Sequence, residues 1–298
     1  MVQRIFGLLA FVVSTLLANV AYPFCQTTTC DTCGMNPFTG CPSAGVPVAW
    51  KRSCVSFSVQ SDGSKFAPYP EAEDLVRQAL AAWQDVTCGP DGAHPSILVS
   101  DAFGPVACRQ QEYNTGQGNA NIILFHDATW PYRDPGALAL TTVTFDVTTG
   151  EIYDADLEVN STAALSTDTP VLPGHFDLLS ILTHESGHFL GLAHSREPGS
   201  VMRSTYAPGT DDLRHLGSDD VAGICAIYPP EKPITACDFT PRYGFSADCS
   251  MNASAGRGCS VAALAGTSEG RTGRASLVAS IGVALVLASH RKKRRRRT

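Results

Sequence analysis

The run His184-Glu185-Ser186-Gly187-His188-Phe189-Leu190-Gly191-Leu192-Ala193-His194 leaves the chain few ways to fold around it. Side chains four apart on a helix point in nearly the same direction, so His184 and His188 meet one point in space if this stretch is helical. The apolar residues from Phe176 to Ala193 do follow a helical pattern, which stops at Gly191 to His194, ahead of Pro198 and Gly199. Gly191 suits a sharp exit from the helix, because glycine adopts the positive φ that such a turn requires. His194 can then swing back as a third imidazole. Three neutral nitrogen ligands leave one tetrahedral position open, as in a catalytic zinc site and unlike a closed structural one. Glu185 falls one step round the helix, beside the ion without being a ligand. There it can act as general base toward a water whose pKa zinc lowers to about 7. At background usage the extended pattern arises by accident in a chain of this length on the order of once in ten thousand. Three histidines that merely pack or cap a helix are therefore the weaker reading.

Both ends read as processing signals. Residues 1–21 carry Arg4, an apolar run from Ile5 to Leu17 and small residues near Ala21, the layout of a secretory signal peptide and too short for a spanning helix. Eleven cysteines suit disulfides in an oxidising compartment. Cys25, Cys30, Cys33 and Cys41 crowd segment 22–45. The Cys30-Asp31-Thr32-Cys33 spacing is open to zinc, but no second cysteine pair follows at ribbon distance, so disulfides are favoured. The odd count leaves one thiol, assigned to Cys259. At the other end, 259–298 holds an apolar block from Leu277 to Ala288 and seven basic residues from Arg291 to Arg297, reading as a hydrophobic segment stopped by a cytoplasmic cationic cluster. The adjoining apolar block argues against a nucleic-acid-binding tail. With Gly258-Cys259-Ser260, this end resembles the sorting signal of myxobacterial surface proteins, which implies processing near Cys259 and retention at the cell surface. Loss of the seven basic residues moves the formal charge from −6 to about −13, a poor match for polyanions.

Between the ends, 46–230 reads as one mixed domain and 231–258 as a linker or small disulfide-bonded stalk. Cys54 to Val59 alternates like a half-buried strand. Glu71 to Val86 is expected to be helical, with Leu75, Val76, Ala79, Leu80 and Trp83 on one face. Ile97 to Val99, Ile122 to Phe125, Leu140 to Val147 and a segment beginning at Glu151 read as strands, and Ser218 to Ile227 as a last helix.

The histidine run together with Met202, in Gly199-Ser200-Val201-Met202-Arg203-Ser204-Thr205-Tyr206, resembles the metzincin metallopeptidases, whose pattern is His-Glu-x-x-His-x-x-Gly-x-x-His followed by a methionine turn. Within that clan the chain is most similar to the matrixins. Ser195 follows His194, Met202 lies eight residues after His194, Tyr206 lies four beyond Met202, and Asp219 to Ile224 through Tyr228 looks like the last matrixin helix. The resemblance spans roughly Pro47 to Pro230. It implies an α+β fold, a twisted mixed sheet packed on helices with the active-site helix below the cleft, and a zinc-dependent endopeptidase working as a monomer. It also implies that Met202 floors the three histidines. The substrate backbone would lie along an edge strand at Gly136 to Leu140, with Leu138 and Ala139 as contacts and Tyr206 either lining a pocket or simply packed. Ser204 departs from the usual proline, and no structural-zinc or calcium-loop sequence is recognisable, so one catalytic Zn2+ is expected. Ca2+ stays open: Asp154 and Asp156 share a strand face, with solvated or capping carboxylates favoured over calcium ligands. Cys33 as a latency thiolate on the zinc is disfavoured against disulfide pairing. The expected partner is polypeptide, with no nucleic acid, and with membrane met only through the carboxyl-terminal tail. Two other readings are a surface adhesion module on an inactive scaffold and a zinc amidase acting on cell-wall peptide. The complete set of Glu185 and three histidines opposes the first, and the lack of a glycan-binding repeat opposes the second.

Overall fold

The computed structural model describes residues 24–30, 33–230, 234, 236–248 and the backbone of 278–287. The expected signal peptide, Cys259 and the basic run at 291–297 lie outside the described residues. In chain order the elements are β1 (Cys54–Ser56), β2 (Ser58–Val59), α1 (Tyr69–Gln84), β3 (Leu98–Ser100), β4 (Ile122–Phe125), β5 (Ala137–Asp146), β6 (Ile152–Val159), β7 (Leu165–Ser166), β8 (Phe176–Asp177), α2 (Leu178–Phe189), β9 (Thr205–Tyr206), a 3-10 turn at Asp212–Arg214, α3 (Ser218–Ile227) and β10 (Val278–Leu287). The main sheet has the order β2-β4-β6-β5-β10-β9. β4 runs parallel to β2 and β6, while β5 is antiparallel to β6. β10 continues the sheet antiparallel to β5 and parallel to β9. The result is the expected α+β arrangement of a mixed sheet on helices. No helix among the described residues is long and apolar enough to cross a membrane.

Strand patterns follow from what covers each face. Ile123 and Phe125 of β4 join the main core with Val143 and Phe145 of β5, Leu157 of β6, and Leu178, Ile181 and Leu182 of α2. Ile122 and Leu124 point the other way, into a smaller cluster with Val106, Cys108 and Ala120, against which Phe245 packs. Both faces are thus covered, which is why Ile122 to Phe125 reads as an unbroken apolar run. Cys54 to Val59 is likewise buried throughout and divides into two strands pairing with different partners. It is therefore not the half-buried single strand that its alternation suggests. Helix α1 starts at Tyr69 with Pro70 in its first turn; Val76, Ala79, Leu80 and Trp83 are buried as expected, Ala72 joins them, and Leu75 packs half-buried against the same core. Trp83 joins α1 to α2 by donating its indole N–H to the Thr183 carbonyl at 2.8 Å.

Disulfides link Cys25 to Cys41, Cys30 to Cys33, Cys54 to Cys237 and Cys88 to Cys225. Cys108 is also disulfide-bonded. Cys33 is thereby spent on Cys30 and offers no thiolate to a metal. The segment after α3 returns to the domain: beyond the Cys54–Cys237 link, Asn119 pairs with Phe245 and the Arg52 guanidinium bonds the Thr240 carbonyl.

On the outer face of β6 stand three carboxylates, Asp154, Asp156 and Glu158, at 2 %, 1 % and 2 % exposure. They are buried, which corrects the expectation of solvated groups at Asp154 and Asp156. Asp156 does cap backbone, accepting from the Ile122 and Glu112 amides at 2.7 and 2.8 Å. Glu158 accepts from His126 Nε2 at 2.8 Å and from the Tyr132 hydroxyl. Asp154 Oδ1 has no partner. Burial, reinforced by the neighbouring Asp156 and Glu112 charges, holds the Asp154 carboxyl well above its usual value, and burial does the same for Asp156 against its two amide bonds. A carboxyl that titrates higher when folded holds more protons in the native state, so stability falls as pH rises from about 4 toward the folded value. Asp154→Asn removes part of that loss. Thermal denaturation is expected to show the variant melting above the wild type at pH 8, by about 2–4 °C per kcal/mol relieved, with the difference shrinking toward pH 4.

Candidate active site

Helix α2 starts at a firm cap. The Asp177 side chain accepts from the Ser180 amide at 2.8 Å, and Arg214 clamps the same carboxylate through two nitrogens at 2.7 and 2.6 Å. A buried bidentate pair of this kind fixes direction as well as position. Two turns on, His184 and His188 lie edge to face with ring centroids 4.8 Å apart. The helix ends at Phe189, and Gly191 turns out of it at φ 94. A Cβ on Gly191 would sit 2.5 Å from the Val48 carbonyl oxygen, so any side chain there is excluded. The turn brings His194 to centroid distances of 5.3 Å from His184 and 4.8 Å from His188.

Hydrogen bonding selects which nitrogens face one another. His184 Nδ1 donates to the Val201 carbonyl at 2.7 Å and His188 Nδ1 to the Leu192 carbonyl at 2.9 Å. The Nε2 atoms of His184, His188 and His194 are buried with no partner. The three histidines offer ligand atoms that all lie within 4.8 Å of one another. Burial drives the imidazoles toward the neutral form, His184 to about 3, His194 to about 4 and His188 well below its usual value. Three neutral, converging, otherwise unsatisfied imidazole nitrogens fit a zinc ion.

Glu185 is fully buried beside them. One carboxylate oxygen, Oε2, accepts from the Thr141 hydroxyl at 2.6 Å, and Oε1 has no partner. Burial pushes this carboxyl up to about 8, with the Thr141 bond pulling the other way. A divalent cation nearby would favour the ionised form.

Several supports carry no sign in local sequence. Asp220 gathers the methionine turn: its carboxylate accepts from the Ser200 hydroxyl and from the Val201 and Gly217 amides. Through the Val201 carbonyl that turn reaches His184. Asp219 accepts from the Ser195 hydroxyl at 2.7 Å, and the Ser195 amide donates to the Met202 carbonyl at 2.8 Å, so α3 also holds the residue after His194. Met202 is buried against α2 at Gly187, where a Cβ would lie 2.7 Å from Trp83 Cζ2 and nearer still to Met202 Sδ. Thr141, Gly187, Trp83, Asp219 and Asp220 thus join the site through long-range contacts. Of these, only Asp219 and Asp220 had a sign in the sequence, as the start of the segment that resembles the last matrixin helix.

Leu138 and Ala139 are wholly buried in β5. Because the Asn160 amide donates to the Leu138 carbonyl and Ala139 faces Val159 across the ladder, Ala139 turns its own N–H and C=O away from β6, toward β10, so the strand expected to be an edge at Gly136 to Leu140 is an interior strand of the sheet. Tyr206 is 1 % exposed, with its ring 5.8 Å from Phe176 and its hydroxyl bonded to the Thr210 carbonyl. Asp154 and Asp156 form no group of three metal-ligating side chains, and the three histidines are the one such group among the described residues.

A matrixin family model matches residues 49–229. Matrix metalloproteinase-20 of Homo sapiens is 28% identical over 189 residues, covering 61% of this chain and 33% of that protein. Metalloendoproteinase 1 of Glycine max is 30% identical over 196 residues, 63% of each. Matrix metalloproteinase-C of Caenorhabditis elegans is 26% identical over 191 residues, 60% of this chain and 28% of that protein. The chain therefore spans about a third of the length of the animal relatives.

Gly187→Ala tests the close approach of α2 to Met202 and Trp83. Overpacking there is expected to cost about 1–3 kcal/mol, measured by chemical denaturation, and to lower zinc content because the ligand helix must shift.

Proposed function

The chain belongs to the matrixin family, and from that premise we propose that it is a zinc-dependent endopeptidase that hydrolyses extended polypeptide. The observation that carries the reading is the set of three buried Nε2 atoms without partners, beside a glutamate whose carboxylate is oriented by Thr141. When bound, zinc supplies acidification of a water to a pKa of about 7 and polarisation of the scissile carbonyl. His184, His188 and His194 would hold the ion through Nε2, with the His184 ring oriented by the Val201 carbonyl and the His188 ring by the Leu192 carbonyl. Glu185 Oε1 takes the proton from the attacking water and returns it to the leaving nitrogen. Thr141 keeps Oε2 occupied, so Oε1 is the oxygen free for that transfer.

Substrate binding by strand addition along the side of β5 that faces away from β6 is supported by the main-chain groups that Ala139 turns that way. In this reading the backbone of β10 lies on that side, antiparallel to β5 and parallel to β9, and an incoming substrate must displace it. Export through 1–21 and surface retention through 259–298 complete the proposal, with processing near Cys259 clearing the groove. Calcium at Asp154 and Asp156 forms no part of it.

Two measurements test this. Incubation with a denatured protein mixture, read by mass spectrometry, is expected to give internal cleavages that a chelator abolishes and zinc restores. Glu185→Gln is expected to retain zinc while turnover falls by about 10²–10⁴-fold; undiminished turnover would exclude Glu185 as the base. The chain ending at Asp248 is expected to show a severalfold higher kcat/KM than the full chain, and equal values would show that β10 does not obstruct the groove.

A further inference from the structure

Residues 24–48 precede the part of the chain that matches the matrixin family, 49–229, yet they are fastened to the turn that carries His194. Gln26 pairs antiparallel with Leu192, and Thr28 pairs antiparallel with Pro47, so this strip of backbone runs between 191–193 on one side and 46–48 on the other. The Ala193 amide donates to the Cys25 carbonyl at 2.8 Å, the Thr27 amide to the Gly191 carbonyl at 2.9 Å, and the Val48 amide to the Thr27 carbonyl at 2.8 Å. The buried Thr27 hydroxyl donates to the Leu192 carbonyl at 3.0 Å.

That carbonyl is the one that accepts from His188 Nδ1 at 2.9 Å. Thr27 therefore touches, through a single oxygen atom, the group that fixes the tautomer of one imidazole. Through the same peptide run it also sets the path into His194. Cys25 is locked to Cys41. The far side of this disulfide loop meets the chain just past His194, where Arg196 donates to the Pro37 carbonyl at 3.2 Å and its side chain lies against Gly40. The loop thus grips both flanks of His194.

We propose that the amino-terminal disulfide loop is a positioning clamp for the metal site, with Thr27 as its positioning residue and the Cys25–Cys41 bond as its fastener. The clamp holds the Leu192 carbonyl still, and with it the ring orientation of His188 and the approach of His194. Groups that orient metal ligands from behind commonly change metal affinity by about 10–100-fold when removed. A link through one shared carbonyl belongs at the lower end. The inference rests on the zinc reading of the three histidines, and its test separates the two.

The test is the zinc dissociation constant of the full chain, measured by competition with a chromophoric chelator, for wild type, Thr27→Val, Thr27→Ser and the paired Cys25→Ser/Cys41→Ser variant. Thr27→Val keeps the shape and removes the hydroxyl, and is expected to weaken zinc binding about tenfold. Thr27→Ser restores the hydroxyl and the wild-type constant, and the paired cysteine variant weakens binding in the same direction. If the cysteine variant does not fold, the two Thr27 variants decide. A wild-type constant in Thr27→Val overturns the clamp. So does a weakening that Thr27→Ser fails to restore, or a loss of melting temperature equal in zinc-free and zinc-loaded protein with affinity unchanged. Failure of the wild type itself to bind zinc would instead sink the reading of the histidines.

Discussion

A buried polar atom without a hydrogen-bond partner costs about 1–3 kcal/mol, and here three imidazole nitrogens carry that cost within a few ångströms of each other. One water, with two hydrogens to donate, cannot satisfy all three nitrogens. A cation can, because it satisfies all three at once and rewards the closeness that otherwise penalises them. Much of the surrounding structure serves to keep these nitrogens pointing at one place. Val201 and Leu192 occupy the opposite ring nitrogens, Asp220 sets the turn that offers Val201, and Asp177 with Arg214 anchors the helix from its start.

The sheet contributes in a different way. Because both faces of β4, β5 and β6 are covered, the strands form a stiff wall against which α2 lies. Thr141 projects from that wall to the Glu185 carboxylate, so the base is oriented by an element more than forty residues away in sequence. The same covering that stiffens the wall explains the buried acids of β6. Once loops close over the outer face, carboxylates that a strand alternation would leave wet are enclosed, and Asp156 and Glu158 are satisfied by amides, an imidazole and a phenol in place of solvent.

What the sequence made legible was local. The boundaries of α3, the strand at Ile122 to Phe125 and the helix-turn course of the histidine run all follow from spacing and turn residues within a dozen positions. The mixed sheet on helices came from resemblance to a family, not from periodicity. What stayed hidden depended on distant partners. Cys54 to Val59 alternates cleanly, but its burial is decided by β3 and β4. The two-residue strands β7 and β8 exist only through each other. Gly187 reads as an interchangeable position until Trp83, a hundred residues earlier, and Met202 are brought against it. Thr27, outside the recognisable family region, could not be linked to the site from its neighbours in sequence.

The link between Cys88 and Cys225 encloses, along the chain, all of β3 through α2 and most of α3. Under the proposed function, nicking by neighbouring copies is a routine hazard, and surface loops are where nicks fall. One backbone scission anywhere between those two cysteines leaves both pieces covalently joined, with the histidine helix still attached to the strands it leans on. Such a molecule would run as a single species without reductant and as two fragments with it. Its wear would be invisible to gel electrophoresis run without reductant.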